Sequence, residues 1–416
     1  VKVYLLTLGC AKNQVDSEHL LGALLRAGAE LAQEPQEAQA LLVNTCGFIE
    51  PAKREAIQEI LALARAKRRD QRLLVFGCLA ERYREELREG IPEIDALWGV
   101  EATEDIVRYL SGDGAPVGLA RHLGTFPYAY LKITEGCKRR CSFCCIPSIR
   151  GPHRSLPAEQ ILREAQGLLR AGARELVLVG QDITAYYYKG LSLAGLLREL
   201  DGLKGKFWLR LMYLHPRGIT QELLSTLPSL RHLVPYLDVP LQHSEERLLR
   251  LMGRPMQRKE LLRLLRRLRR TLPGLWLRST FMVGFPGETE EEFQALLQFL
   301  EEAQIEHVGV FQFWPEEGTP AARLQGQLPQ ELKSRRQEEL LQAQSQISLL
   351  KHQGMVGRQL EVLVEETDEG RSVARFYGQA PEVDGQVYIS TPLEPGQFVK
   401  VRITHASEHD LEAELS

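Results

Sequence analysis

Apolar residues follow two rhythms along this chain, and the two alternate. In the first quarter, short apolar and β-branched runs, "VKVYLLTLGC" (1 to 10), "ALLVNTC" (40 to 46) and "LLVFGC" (73 to 78), each end at a cysteine. Between them, apolar residues recur every three or four positions in "DSEHLLGALLRAGA" (16 to 29) and "AKREAIQEILALARAKRR" (52 to 69), the spacing of a helix with one buried face. Strand alternating with helix predicts a parallel sheet, whose strands deliver their carboxyl ends to one edge. Cys10, Cys46 and Cys78 are therefore expected to sit together. This first α/β domain is placed at 1–112, with the turn-forming stretch "SGDGAPVG" (111 to 118) as its linker.

The alternation resumes at "AYLKIT" (129 to 134) and continues through "ELVLVG" (175 to 180), "WLRLMYL" (208 to 214), "YLDVPL" (236 to 241), "LRSTFMVG" (277 to 284) and "HVGVFQF" (307 to 313), with Leu/Arg-rich helical stretches between. Six βα units predict a partial TIM-like (βα)6 barrel whose site lies at the carboxyl ends of the strands. A helical segment, 330 to 353, leads out of it. The remainder, "RQLEVLVEE", "RSVARFYG", "GQVYIS" and "QFVKVRITHA", alternates with period two between Gly, Pro and Asp turns, which predicts a small antiparallel β-barrel. The second and third domains are placed at 123–350 and 351–416.

Composition adds little until it is divided. The 416 residues are 44% hydrophobic and 26% charged, with a net charge of −3, ordinary for a globular protein and against a uniformly basic nucleic-acid binder. From 356 to 416, however, five basic residues face twelve acidic ones, a net of −7. The start of the sequence is too short in apolar residues for a signal peptide, and no apolar run reaches membrane-spanning length. A cytosolic protein is expected, with no membrane association, in which clustered cysteines mean metal or redox chemistry rather than disulfides.

The chemistry concentrates in "CKRRCSFCCIP" (137 to 147), which holds four of the seven cysteines. Cys137, Cys141 and Cys144 are spaced C-x3-C-x2-C just after the first strand of the second domain. Thiolates are soft ligands suited to zinc or iron–sulfur clusters. Zinc would ask for a fourth protein ligand, which His153 could supply; a four-iron cluster held by three cysteines keeps one iron free for a cofactor. Cys145 is the extra residue, read as a packed thiol.

This spacing resembles the radical S-adenosylmethionine (SAM) enzymes, and "KITEGCKRRCSFCCIPSIRG" (132 to 151) resembles their methylthiotransferase branch. The likeness extends to "LGCAKNQVDSE" (8 to 18), "NTCGFI" (44 to 49) and "GCLAERY" (77 to 83). It implies two 4Fe-4S clusters, one on Cys137, Cys141 and Cys144 that binds and cleaves SAM, and an auxiliary one on Cys10, Cys46 and Cys78. It further implies SAM contacts from Gln181 and Asp182 in "VGQDITAY", from Gln242 in "PLQHS", and from Gly284, Pro286 and Gly287 in "MVGFPGETEEEF", although this last loop is equally a good helix start. An electron donor such as flavodoxin or ferredoxin, and a monomeric enzyme, are expected with it.

Two branches of the family differ in substrate. One modifies an adenosine in tRNA; the RimO type modifies the β-carbon of an aspartate in the small-subunit ribosomal protein S-12. The tail stretch "RFYGQAPEVDGQVYI" (375 to 389), with "YLHPRGIT" (213 to 220) and "PEEGTPA" (315 to 321), resembles the RimO type and its TRAM-like barrel, although Gln379 stands where that pattern usually has Asp and "AYYYKG" (185 to 190) lacks the usual Tyr-Gly. The tail charge is an independent physical argument for the same branch: an acidic barrel repels a phosphate backbone and attracts a basic ribosomal protein. Phe376 and Tyr377 could stack on bases, but alternating apolar positions on a strand are more often core.

Overall fold

The structure, a computed structural model, describes residues 1–112, 121–368 and 370–416. The proposed linker thus lies mostly outside the described residues, apart from Ser111, which ends the helix Thr103–Ser111, and Gly112. The chain divides into two compact units: Val1–Gly124 with Glu135–Lys138 and Cys144–Arg154, and Thr125–Thr134 with Arg139–Phe143 and Ser155–Ser416.

The first unit is built on a five-stranded parallel sheet in the order Glu30–Leu31, Lys2–Thr7, Ala40–Thr45, Arg72–Gly77, Ala96–Leu97. The three long strands are the three cysteine-ending runs. The two short edge strands carry too few residues to show a pattern in sequence. Ala40–Thr45 is buried at every position, as a parallel strand covered on both faces must be. Alternate residues serve opposite faces: Leu41 and Val43 pack with Ile60 and Leu63 of the helix Glu50–Ala66. Ala40 and Leu42 pack with Leu20 and Leu24 of the helix Ala11–Arg26 and with Ile106.

In the second unit the six anticipated strands form one parallel sheet in strict chain order, Tyr128–Lys132, Glu175–Val179, Trp208–Leu211, Leu233–Asp238, Trp276–Val283, His307–Gln312. The helix Gln330–Gln353 packs against the last strand and leads to the tail. The tail is a closed barrel of five strands: Gln359–Asp368, Arg371–Phe376, Val387–Ile389, Leu411–Leu415 and Phe398–Ala406, which pairs back with the first. The fifth, "LEAEL" at the end of the chain, was not among the runs read as strands; it supplies the closure that removes the sheet's free edges.

The tail barrel is joined to the central sheet by buried charge. Arg375 donates to Glu365 within the barrel (2.7 Å) and to Glu175, the first residue of the second central strand (2.6 Å). Glu175 also binds Arg210, which donates onward to the Tyr377 carbonyl (2.8 Å). Asp384 accepts from Tyr236 (2.7 Å) and pairs with Arg278, while Glu382 accepts from Tyr128 (2.9 Å) and Tyr130 (3.1 Å). The stretch "APEVDG" therefore anchors the barrel to the central strands. Phe376 is fully buried, edge-on to Trp276 at 4.9 Å, so it is core and not a stacking platform. Gln379 is buried too, its amide accepting from the Phe376 N–H and donating to the Gln386 carbonyl, a double role that a carboxylate could not fill.

Candidate functional site

Cys10, Cys46 and Cys78 stand at the carboxyl edge of the first sheet, as the topology requires. Cys46 and Cys78 follow their strands directly, and Cys10 caps the helix Ala11–Arg26 three residues past the strand Lys2–Thr7. The turns that admit them are tight. Gly9 has φ +99°, and a side chain there would place its Cβ 2.7 Å from the Cys46 Cβ and 3.1 Å from its sulfur. A Cβ on Gly47 would meet the Leu79 backbone at 2.8 Å. Only glycine allows this approach.

Asn13, fully buried, ties the three turns together. Its amide donates to the carbonyls of Leu8 (2.8 Å) and Thr45 (3.1 Å), and its oxygen lies 3.7 Å from the Cys78 sulfur. That oxygen also accepts from Arg150 (2.6 Å), which is buried and paired with Glu135 (3.1 Å) and Asp16 (3.0 Å). The sequence reading missed Asn13, Arg150 and Glu135. The signal available was "CAKN" and "SIRG", a polar residue and an arginine beside cysteine motifs.

The thiols are electrostatically unequal. Burial would raise the Cys10 thiol, but the Lys12 charge, the Asn13 N–H and Arg150 outweigh it and hold the group below its ordinary value. Burial pushes Cys46 up, the Phe48 N–H only partly opposing it. Cys78 is pushed up to about 12 by burial, against Arg150 and with the charges of Cys10 and Cys46 adding to the rise. Each sulfur thus feels the others, and three thiolates can be charged together only beside a strongly positive group. Iron–sulfur chemistry suits this donor set. Among the described residues no three His, Cys, Asp or Glu side chains converge on a point where a single ion would sit. A cube of four irons does not ask that of them, since each thiolate takes its own iron.

The segment 137–145 is shared between the two units: Cys137, Cys144 and Cys145 belong to the first, Cys141 to the second. Cys137 donates its N–H to the Gly151 carbonyl (3.2 Å), next to Gly136, whose φ of +66° and contact with the Pro152 carbonyl exclude a side chain. Cys145 is buried; its sulfur meets the Phe48 carbonyl at 3.3 Å and an Arg82 nitrogen at 3.5 Å, and it packs with Cys78 and Ile149. In the second unit, Ser142 donates to the carbonyls of Met252 (3.1 Å, backbone) and Leu251 (2.7 Å, side chain), and Arg139 pairs with Asp182 at 2.7 Å.

The remaining candidates lie along the carboxyl edge of the central sheet. Asp182 follows the second strand, its second oxygen accepting from the Thr184 N–H (3.0 Å). Burial opposes its ionisation, yet Thr184 and Arg139 hold its carboxyl below the usual range. Gln181 precedes it at the same strand end. His215, after the third strand, accepts the Arg217 N–H at Nδ1 (3.2 Å) and is kept neutral, its value pushed down to about 3 by burial and the charges of Arg254 and Arg139. Its Nε2 then carries the proton, making it a buried donor at this edge; the sequence reading did not single it out. Gln242 has φ +74°, its backbone bridging Thr280 and Met282 of the fifth strand. Gly284, Pro286 and Gly287 form the next turn. Gly284 donates its N–H to Glu288 (3.1 Å), Glu288 is held by Arg336 (2.6 Å), and Thr289 with Glu292 makes a capping box for the helix Glu290–Ala303.

With this geometry in hand, comparison with known proteins is informative. Residues 2–99 match the uncharacterized protein family UPF0004, 131–300 the radical SAM superfamily and 356–415 the TRAM domain. The chain is 46% identical over 415 residues, 98% of its length and 97% of the relative's, to the ribosomal protein uS12 methylthiotransferase RimO of Thermodesulfovibrio yellowstonii. It is 44% identical over 420 residues, 99% and 96% of the two chains, to the RimO of Aquifex aeolicus. Among solved structures, the radical SAM methyltransferase TsrM from Kitasatospora setae, with cobalamin and a 4Fe-4S cluster bound, superposes with a TM-score of 0.58 at 15% identity, covering 89% of this chain and 80% of that one. The cobalamin-dependent radical SAM enzyme OxsB gives 0.54 at 14%, covering 82% and 56%. These two share the fold alone. No helix among the described residues is long and apolar enough to cross a membrane. Full-length identity at this level, over a cysteine-ended parallel sheet, a six-stranded radical SAM core and a TRAM barrel, makes this chain a member of the RimO family of radical SAM methylthiotransferases.

Proposed function

We propose that the chain adds a methylthio group to the β-carbon of an aspartate in ribosomal protein uS12, with Cys137, Cys141 and Cys144 holding the SAM-cleaving cluster and Cys10, Cys46 and Cys78 the auxiliary one. The observation that carries the reading is the second set of three thiols, gathered from three separate strand ends around Asn13 and Arg150. An enzyme that only cleaved SAM would have no use for it. When bound, the two clusters and SAM supply a 5′-deoxyadenosyl radical, a sulfur atom and a methyl group, the means to functionalise an unactivated C–H bond.

The chain's own residues hold and orient. Arg150 and Lys12 balance thiolate charge at the auxiliary site. Asp182 fixes Arg139 beside Cys141 and, with Gln181, offers acceptors to the SAM ammonium. His215 presents one fixed N–H donor. Gln242 and the Gly284–Gly287 turn keep backbone close to the cofactor, with Glu288 clamping the turn. The domains 1–112, 123–350 and 351–416 divide this labour as sulfur donor, radical source and anchored tail.

The acidic tail favours a basic protein over tRNA as substrate. Glu365, Asp384 and Arg375 are spent inside, but Glu366, Asp368, Glu394 and Glu412 remain exposed. Mass spectrometry of uS12 from cells with and without the gene tests the proposal. A mass increase matching one methylthio group on an aspartate is expected; methylthiolated tRNA adenosine with unmodified uS12 would assign the other branch.

A further inference from the structure

The carboxyl edge of the central sheet carries the candidate chemistry, and its amino edge carries something else. Two turns that return the chain from helix to strand, "RAGARE" (170 to 175) and "DGLKGKF" (201 to 207), lie side by side. The strands they feed, Glu175–Val179 and Trp208–Leu211, are parallel neighbours with Trp208 opposite Glu175. Between the turns is a cleft of about 540 Å³ whose charged lining is Arg170, Arg174, Lys204 and Lys206, with no acidic residue.

Lys206 is already engaged, paired with Glu361 and 4.6 Å from the centre of the Phe398 ring. Arg170, Arg174 and Lys204 are exposed and, among the described residues, form no ion pair. Other exposed cations of this unit, among them Lys259, Arg263 and Arg270, also lack an ion pair among the described residues; what sets the cleft apart is that its cations share one lining with no carboxylate. Gly205, at φ +107°, turns the chain sharply, and the amides of Lys204, Gly205 and Lys206 find no protein acceptor. Beneath them Phe207 is buried and stacked on His232 with ring centres 3.9 Å apart, a rigid floor.

Guanidinium forks, an ammonium and free amides in one cleft are donors without acceptors, the arrangement that phosphate oxygens satisfy. A five-residue strand spans roughly 17 Å, so a phosphate bound here sits far from the carboxyl edge and takes no part in the reaction. We infer that this cleft is a docking site for the phosphodiester backbone of RNA, which lets the enzyme meet uS12 on the RNA-bearing small subunit. The inference rests on the uS12 reading. A ribonucleoprotein presents basic protein and RNA phosphates together, and this unit presents an acidic tail surface and, adjoining it at the Lys206–Glu361 pair, a cationic cleft.

The test compares the wild-type holoenzyme with R170Q/R174Q/K204Q, three surface changes checked by unaltered iron content and melting temperature. Binding to a short RNA duplex of about 20 base pairs is measured across salt concentration, with each phosphate contact contributing about 0.9 to the slope of log affinity against log salt. The variant's slope should be shallower by about 2 to 3. Its rate of methylthiolation should fall at least about tenfold on isolated small subunits at low salt and stay within about twofold on purified uS12, as loss of three phosphate contacts implies. Equal slopes for the two proteins, or equal loss on both substrates, overturns the inference. So does an unchanged RNA slope combined with inorganic phosphate raising the melting temperature of the wild type alone, which would assign the cleft to a small anion. If the wild type modifies neither form of uS12 while the RNA slopes still differ, the cleft stands and the substrate reading falls.

Discussion

Arg375, on the second strand of the tail barrel, places its guanidinium 2.6 Å from the carboxylate of Glu175, the first residue of the second central strand, and both side chains are buried. With Glu365 and Arg210 they form a four-charge chain closed off from water. Taking charges out of water is costly, and removing one member leaves its partners uncompensated. Arg375→Ala should therefore destabilise the chain by about 3–5 kcal/mol, read as a lower urea midpoint. A change below about 1 kcal/mol, the range of an exposed pair, would show that the junction is solvated.

Gly9 is where the close approach of the Cys10 and Cys46 turns depends on backbone alone. Gly9→Ala forces a Cβ against Cys46 at a φ of +99° that L-residues rarely adopt. Anaerobic reconstitution should then load about four irons per chain instead of about eight, with SAM cleavage retained. Full loading of both clusters by G9A would mean that the Cys10 and Cys46 turns can part without loss.

The two cysteine sets should separate two half-reactions. Cys141→Ala is expected to abolish 5′-deoxyadenosine formation under anaerobic reduction. Cys46→Ala should still form 5′-deoxyadenosine but leave uS12 without sulfur. Chromatography of the nucleoside products and the mass of uS12 check each in turn, and thiolation by the Cys46 variant would refute the sulfur-donor role.

His352 gives the fold an acid-side sensitivity. It stacks on Trp276 at 5.5 Å, donates from Nδ1 to the Ser407 carbonyl (3.1 Å), and has a buried Nε2 with no partner. Burial, with His307 and His409 nearby, pushes its value down to about 4. The folded value lies below the unfolded one of about 6.5, so the fold favours the neutral ring. Its contribution is complete above about pH 6.5 and is lost as pH falls toward 4, about 3 kcal/mol in all. His352→Phe should flatten the loss of urea stability between pH 7 and pH 4.5; an equal loss in the variant would place the sensitivity elsewhere.

Much of this was legible in the residues. The runs ending at Cys10, Cys46 and Cys78 named three parallel strands; Ala40–Thr45 and Arg72–Gly77 are apolar almost throughout because both their faces are covered, while Lys2–Thr7 is only half-buried. The six central strands were legible as apolar, β-branched or aromatic runs, some fully buried like Glu175–Val179 and some alternating like Trp276–Val283, with helices between to set their order. Glu30–Leu31, Ala96–Leu97 and the closing strand Leu411–Leu415 were not: the first two are too short for periodicity, and the last borrows its strand character from the partners it closes against. Asn13, Arg150 and His215 escaped because a single polar residue has no pattern, and its importance lies in what approaches it through space.

By itself, the sequence determined that Cys10, Cys46 and Cys78 would stand at strand ends, since apolar runs and their spacing are local properties that a chain carries unfolded. Only the tertiary structure decided the charge balance around Cys10, the internal pairing of Arg375, Glu175 and Asp384, and the isolation of Arg170, Arg174 and Lys204. Those depend on which charges are excluded from water together, and neighbours brought from 35 to 200 positions away settle that.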